Sequence, residues 1–242
     1  MITKLGHIAY NKIAGKSPTV IFMGGFRSDM SGAKALYLEE LCKATGNSFI
    51  RFDYSGHGES DGEFEKCTIG KWKKDALQII EELTNDEIII IGSSMGGWIG
   101  LLAALEVKKR VKGFIGIAAA PDFTEDLIWN EFDEFTQKKL ERDGLVLMPN
   151  CYDDQEPYPI TQELIEEGRK HLLLRGEIKL NCPIRLLQGM DDEDVPYETA
   201  GSIAECLTSK DVEVHLIKNA SHRFSEPENL ELLKNTLLEL LK

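Results

Sequence analysis

Ile88-Ile89-Ile90-Ile91-Gly92-Ser93-Ser94-Met95-Gly96-Gly97-Trp98 is the stretch on which the reading of the chain turns. Four consecutive β-branched residues closed by glycine fit a short strand buried on both faces. Met95 to Glu106 then has the apolar density of a buried helix. Between strand and helix, Gly92, Ser94 and Gly96 stand at the offsets of a G-x-S-x-G turn. Such a turn lifts the central serine above the sheet and brings backbone so close that a Cβ at Gly92 or Gly96 would clash. Ser94 is therefore the candidate nucleophile. It lies at a helix N-terminus, where partial positive charge and the Met95 N–H can hold a developing oxyanion. Ser93 is adjacent but out of register with both glycines.

Outward from this turn, short apolar runs alternate with longer segments of helical period, the pattern of βαβ units and a mostly parallel sheet flanked by helices. Strands are expected near Ile8–Ile13, Thr19–Met23, Ser48–Tyr54, Glu87–Ser93, Gly113–Ala119, Ile184–Gln188 and Glu213–Lys218. Helices are expected near Gly32–Ala44, Lys71–Leu83, Met95–Glu106, Thr199–Leu207 and Pro227–Leu241. The fold class is thus α/β. The rhythm breaks once, between Pro121 and Asn181, where no clear strand is visible but helical patterns run near Glu125–Arg142 and Thr161–Leu174. The expected organisation is a core of residues 1–121 and 182–242 with a small helical cap inserted at 122–181.

A serine nucleophile needs a base and an orienting acid, which in this arrangement follow it along the chain in the order acid, histidine. Of His7, His57, His171, His215 and His222, only His222 falls after the last expected strand. His215 lies within that strand, and His57 sits in a loop that would shape the floor of the site. The acid belongs to the loop after Ile184–Gln188, where Asp191, Asp192, Glu193 and Asp194 crowd together, and spacing alone does not choose among them. Asp122, after the preceding strand, is a rarer placement. A second oxyanion donor is expected from the Phe26 N–H, because Gly24-Gly25 after the strand Thr19–Met23 leaves room for backbone to approach the same oxygen.

The motifs Gly92-Ser93-Ser94-Met95-Gly96-Gly97-Trp98, Arg51-Phe52-Asp53-Tyr54-Ser55-Gly56 and Asn181-Cys182-Pro183-Ile184-Arg185-Leu186-Leu187-Gln188-Gly189-Met190 resemble one branch of the α/β-hydrolases. This is the branch of palmitoyl-protein thioesterases and acyl-glucuronide esterases of the abhydrolase-domain-ten type. Gly70-Lys71-Trp72 and the stretch from Glu163 to Leu173 extend the similarity over nearly the whole chain. The resemblance implies an α/β-hydrolase fold, an ester or acyl-thioester substrate, and Asp192 as the acid, three residues beyond Gly189. Two departures stand out. The branch commonly has histidine where this chain has Gln188, and it has an organelle-targeting extension that is not visible here.

Composition narrows the partners. The 28 Lys and Arg against 41 Asp and Glu give a formal charge of -13 without a basic block, which disfavours nucleic acid and anionic membrane surfaces. The expected partner is a small-molecule or acylated-protein substrate, and the chemistry requires neither metal nor organic cofactor. Met1 to Lys12 alternates polar and apolar residues and has no continuous apolar run, so no membrane span is expected. Cys42, Cys67, Cys151, Cys182 and Cys206 are odd in number and lack CxxC spacing, which suits a reducing compartment, and a cytoplasmic protein is expected.

Leu127, Ile128, Trp129, Phe132 and Phe135 of the inserted segment, with Trp98 behind the nucleophile, are candidates to line an acyl pocket. Arg27, beside Phe26, is a candidate for an anionic leaving group. An acyltransferase or a C–C hydrolase would use the same triad, and a catalytically inactive binding module is the reading from a different class.

Overall fold

The computed structural model describes residues 3–148 and 157–242. In chain order the strands are β1 (Thr3–Leu5), β2 (Ile8–Ile13), β3 (Lys16–Met23), β4 (Asn47–Phe52), β5 (Ile88–Ser93), β6 (Val111–Ile117), β7 (Leu145–Met148), β8 (Tyr158–Thr161), β9 (Ile184–Gly189) and β10 (Val212–Ile217). Eight of them form one sheet in the order β1-β2-β4-β3-β5-β6-β9-β10, antiparallel at β1-β2 and β2-β4 and parallel from β4 to β10. The helices are α1 (Ala33–Thr45), α2 (Ile69–Leu83), α3 (Met95–Glu106), α4 (Glu134–Asp143), α5 (Gln162–Gly168), α6 (Glu198–Cys206) and α7 (Pro227–Leu240).

The isoleucine run of β5 explains why the sheet is covered twice. Successive side chains of a strand point to opposite faces. Ile88 and Ile90 enter one apolar core with Trp72, Ile79 and Ile80 of α2, whereas Ile89 and Ile91 enter the other with Leu38 of α1 and Leu233 and Leu237 of α7. Each of these isoleucines is fully buried and contributes about 1.5–3 kcal/mol of hydrophobic stabilisation. The ends of α2 and α7 follow local chemistry. Thr68 caps α2 by accepting from the Lys71 amide at 3.3 Å, and Pro227 opens α7, where a missing N–H costs nothing.

The segment between β6 and β9 is more broken than its periodicity predicts. A turn of wide helix covers Thr124–Trp129, and α4 starts afresh at Asp133, whose carboxylate accepts from the Thr136 amide at 2.8 Å. That cap interrupts the single helix expected over Glu125–Arg142. The expectation of no strand is also corrected: β7 and β8 pair antiparallel, Leu145 opposite Thr161. Each has four residues and finds its partner only through the fold, so neither has enough length to declare itself. Thr161 caps α5 at the Leu164 amide, 3.1 Å away, and the helical pattern expected to reach Leu174 ends in a tight turn at Arg169–His171. Leu140, Val146, Ile160, Leu164 and Ile165 of this segment are buried in the same core as α2 and α3. Cys42, Cys67, Cys182 and Cys206 are free thiols, and Cys151, with the rest of residues 149–156, lies outside the described residues.

The loop after β4 is built around His57. Its ring is wedged edge-on among Tyr54, Phe64 and Trp72, with centroids 5.8, 5.2 and 5.3 Å away. Nε2 accepts the Arg27 amide at 3.1 Å, so the proton resides on Nδ1, which donates to the Ser55 carbonyl at 3.2 Å. The Trp72 indole N–H donates to the same carbonyl at 3.0 Å. His57 thus pins the turn that follows β3. Burial pushes its imidazole down to about 4, against the opposing pull of the Ser55 carbonyl.

A depressed histidine favours the native state above its unfolded value of about 6.5, and that stability is lost as pH falls toward 4, because only the unfolded chain binds the proton there. Full protonation of the unfolded chain alone amounts to about 3 kcal/mol. His57→Gln keeps an acceptor for Arg27 and a donor for Ser55 but does not titrate. Denaturant unfolding at pH 7 and pH 4.5 should therefore show the wild type losing about 2–3 kcal/mol more than the variant. Equal losses in the two proteins would refute this account of His57.

Candidate active site

The loops at the carboxyl ends of β3, β5, β9 and β10 carry the predicted residues, the edge where open parallel sheets place their sites. Ser94 opens α3 with φ 55° and ψ -122°, a left-handed conformation that a residue with a side chain adopts only when its surroundings enforce it. The enforcement comes from the glycines. A Cβ on Gly92 would collide with the Gly96 carbonyl, and one on Gly96 would collide with the Met23 carbonyl at the end of β3. Ser94 donates its amide to the Ile117 carbonyl at 2.9 Å, which ties the turn to β6. Ser93, the rival by adjacency, is a buried residue of β5, while Ser94 is partly exposed.

The loops after β9 and β10 are held against each other. Asp191 donates its amide to the Ala220 carbonyl at 3.1 Å, and Gly189 sits so close to Ala220 that any side chain would collide with it. This contact brings His222 onto the second of the four clustered acids. Nδ1 of His222 lies 3.0 and 2.9 Å from the two carboxylate oxygens of Asp192, and Nε2 lies 3.1 Å from Ser94 Oγ. With Nδ1 facing a carboxylate, the proton resides there and Nε2 is free to accept the Ser94 hydroxyl. Asp192 also accepts the Val195 and Asp194 amides at 2.8 and 3.0 Å. Burial works to raise its carboxyl, but the hydrogen bond and charge of His222 together with the two amides outweigh it and hold Asp192 below the ordinary carboxylate range.

Asp192, Asp194 and His222 present ligand atoms within 4.8 Å of one another, spacing a metal ion could use, yet Asp192 is already bonded to His222 and to the Asp194 amide. The outside acid, Asp122, is fully buried at φ 63° and accepts the Leu173 and Leu174 amides at 2.7 and 2.8 Å, so its carboxylate anchors the return of the inserted segment. The remaining histidines pair with acids outside this group: His7 with Asp75 at 3.1 Å, His171 with Glu167 at 2.7 Å and His215 with Glu213 at 3.3 Å.

The turn after β3 passes directly by Ser94. A Cβ on Gly25 would come within 3.3 Å of Ser94 Cβ, so glycine there lets Phe26 approach from the next position. The Phe26 ring meets Phe64, Trp72, Phe123 and Tyr158 edge-on at 5.0 to 5.9 Å. The Met95 amide is the first of α3, one of the N–H groups that a helix cannot satisfy internally. Arg27 is exposed, with its guanidinium 5.5 and 5.9 Å from the Phe64 and Tyr158 rings, and it borders a cavity of about 410 Å³ shared with Asp29, His57 and Pro159.

Trp98 does not meet the expectation of a substrate contact. It is fully buried, donating its indole N–H to the His171 carbonyl at 3.0 Å and packing on Phe123 at 5.7 Å. One turn along α3 from Ser94, its side chain faces the core instead of the sheet edge. Trp129 is half-buried beneath the Arg169 guanidinium at 4.8 Å and packs against the core that contains Trp98, whereas Phe135 is 75% exposed. Sequence reasoning missed His57 as the pin of the turn after β3 and Gln188 as a partner of Asp192, the Gln188 amide Nε2 donating to Asp192 Oδ2 at 2.8 Å.

Known proteins agree with this architecture. The mitochondrial palmitoyl-protein thioesterase ABHD10 of Bos taurus is 42% identical over 237 residues, spanning 98% of this chain and 77% of that protein. Its Homo sapiens counterpart is 43% identical over the same shares. The solved structure of alpha/beta hydrolase domain-containing protein 10 from mouse matches with a TM-score of 0.92 at 39% identity, covering 100% of this chain and 97% of that one. These relatives are named mitochondrial, which overturns the cytoplasmic expectation. Free thiols and an acidic composition speak to redox conditions and charge, and they do not distinguish one reducing compartment from another. Among the described residues no helix is long and apolar enough to cross a membrane. A profile of the alpha/beta hydrolase fold matches residues 18–152, and with it the chain belongs to the α/β-hydrolase family, in the branch that includes the ABHD10 proteins.

Proposed function

We propose that this protein is a serine hydrolase that cleaves acyl thioesters or carboxylic esters through an acyl-enzyme on Ser94. The reading rests on one observation above the others, the continuous hydrogen-bonded line from Ser94 Oγ through His222 to the Asp192 carboxylate. The names of the ABHD10 relatives support thioesters among the substrates. In this scheme His222 Nε2 takes the Ser94 proton as Oγ attacks the acyl carbon, and Asp192 stabilises the resulting imidazolium. The Phe26 and Met95 amides receive the oxyanion. His222 returns the proton to the departing thiolate or alkoxide, and a water activated by the same base then releases the acid.

The segment 122–181 serves in this reading as a cap. Its support is β8, which sets Tyr158 against the Phe26 ring at 5.9 Å and beside the Arg27 guanidinium, so inserted residues touch the proposed oxyanion turn. Arg27 and Trp129 are the proposed contacts for the leaving group and the acyl group.

Three outcomes are expected. A fluorophosphonate probe labels one serine, mapped to Ser94 by peptide analysis, and Ser94→Ala abolishes both labelling and turnover of p-nitrophenyl esters and acyl thioesters. Labelling elsewhere, or none in folded protein, would end the proposal.

Asp192→Asn keeps the shape of the acid but removes its charge, and it should lower turnover about ten-thousandfold. Asp191→Asn, on an exposed side chain, and Asp194→Asn should stay within tenfold. In the wild type the acylation rate should fall on the acid side, because the base must be unprotonated to accept the Ser94 hydroxyl, while Asp192, held low, remains ionised. Steady-state rates of the three variants across pH decide the assignment, and an active Asp192→Asn enzyme would move the acid elsewhere.

Tyr158→Ala removes the contact of β8 with the proposed oxyanion turn, leaving that of Phe123. It should change the order of preference across acyl chains of graded length, with a short water-soluble ester least affected. An unchanged order would leave the inserted segment a packing element only.

A further inference from the structure

Gln188 is a polar residue in a place that calls for an apolar one. It follows Leu186 and Leu187 in β9, is 1% exposed, and its side-chain oxygen finds no hydrogen-bond partner among the described residues. Leaving such a group unpaired costs about 1–3 kcal/mol, more than a well-packed apolar side chain of the same size would. The amide nitrogen accounts for its retention. It donates to Asp192 Oδ2 at 2.8 Å and lies 3.3 Å from the Val195 and Gly189 carbonyls, which also aim it at the carboxylate. The opposite oxygen, Oδ1, takes the Val195 and Asp194 amides. Fixed donors therefore grip Asp192 from both oxygens, and His222 Nδ1 meets a carboxylate that cannot rotate.

We propose that Gln188 is a positioning residue for the hydrolytic reaction: its amide holds Asp192 in the orientation that His222 requires and takes up part of the carboxylate's hydrogen-bonding capacity. The inference rests on the roles proposed above for Asp192 and His222. A donor to Oδ2 competes with His222 for the carboxylate's charge, so its removal strengthens the hold of Asp192 on the imidazolium and shifts the acid limb of activity upward. Asp194 also presents a carboxylate oxygen within 4.8 Å of the pair. From the remaining elements, Arg223 follows His222 in the loop after β10, and Lys34 of α1 donates to the Arg223 carbonyl. None of these groups changes in the variants below.

The test combines pH profiles of kcat/KM with a double-mutant cycle. Gln188→Met keeps length and apolar bulk but removes the donor, and Gln188→His restores a donor. Gln188→Met should lower kcat/KM about tenfold at neutral pH and move the acid limb upward by about half a pH unit or more. Gln188→His should bring the limb back. In an Asp192→Asn background Gln188→Met should cost less than twofold, because the group it acts on is gone. A purely structural role would leave the limb in place and cost the same in both backgrounds, and either result overturns the proposal. Should Gln188→Met fail to fold, Gln188→Glu preserves the shape and adds a like charge beside Asp192, so its limb must also move up, and a fixed limb there is equally fatal. If Asp192→Asn itself stays active, the assignment of the acid has failed. If Asp192→Asn is inactive and the limb does not move, only the role of Gln188 has.

Discussion

Backbone pressed on backbone at the end of β5 is the constraint on which the site depends. Gly92 lies against the Gly96 carbonyl and Gly96 against the Met23 carbonyl, so the turn out of the central strand is closed by contacts that tolerate no side chain. Ser94 is left in a left-handed conformation at the first turn of α3. Strain of this kind costs of order 1–3 kcal/mol and persists only where the surroundings over-determine it. Here the surroundings are β3 and β6, hydrogen-bonded on either side of β5, and the burial of Ile88 to Ile91 in two cores. The same close approach that strains Ser94 also brings the turn after β3 beside it.

The polar parts of the site are arranged by similar pins, each made of buried side chains that serve backbone. His57 accepts the Arg27 amide and fixes the turn carrying Phe26, with its ring held neutral by burial. Asp122 accepts two amides of the returning inserted segment, and Glu167 accepts the Gly70 amide at 2.8 Å at the start of α2. Gln188 and the amides of Asp194 and Val195 do the same for Asp192. Buried polar groups are costly unless hydrogen-bonded, so each pin is held by the bonds it makes, although the Gln188 side-chain oxygen is left without a partner among the described residues. In the proposed mechanism the reacting groups therefore need little reorganisation as charge develops on Ser94 and His222.

The inserted segment is tied to the core as firmly as any helix of the sheet layer. Leu140, Val146, Ile160, Leu164 and Ile165 share the apolar core of α2 and α3, and Trp98 donates its indole N–H to the His171 carbonyl. A segment embedded in this way places Tyr158 of β8 beside the Phe26 ring and the Arg27 guanidinium. Trp98 and Ile128, read from their apolar character as pocket candidates, are instead buried in the core that this segment shares with α2 and α3.

What the sequence determined by itself was whatever depends on local spacing. The isoleucine run, the G-x-S-x-G offsets and the apolar periodicity of the helices each act within a few residues, and so strands, helices and the turn at Ser94 were legible, as was His222 as the candidate base from chain order. Among the four acids after β9, local reading reached a tie that only the family resemblance broke. Tertiary structure decided the rest. Which acid meets His222 depends on the Asp191 and Ala220 backbone contact between two loops thirty residues apart, and the four-residue partners β7 and β8 exist only as a pair. The direction of Trp98 depends on what packs over α3, and the duties of His57 and Gln188 are hydrogen bonds to residues 30 and 4 positions away whose geometry no pattern encodes. Propensity and periodicity act along the chain, whereas a hydrogen bond between loops exists only after the sheet has set their distance.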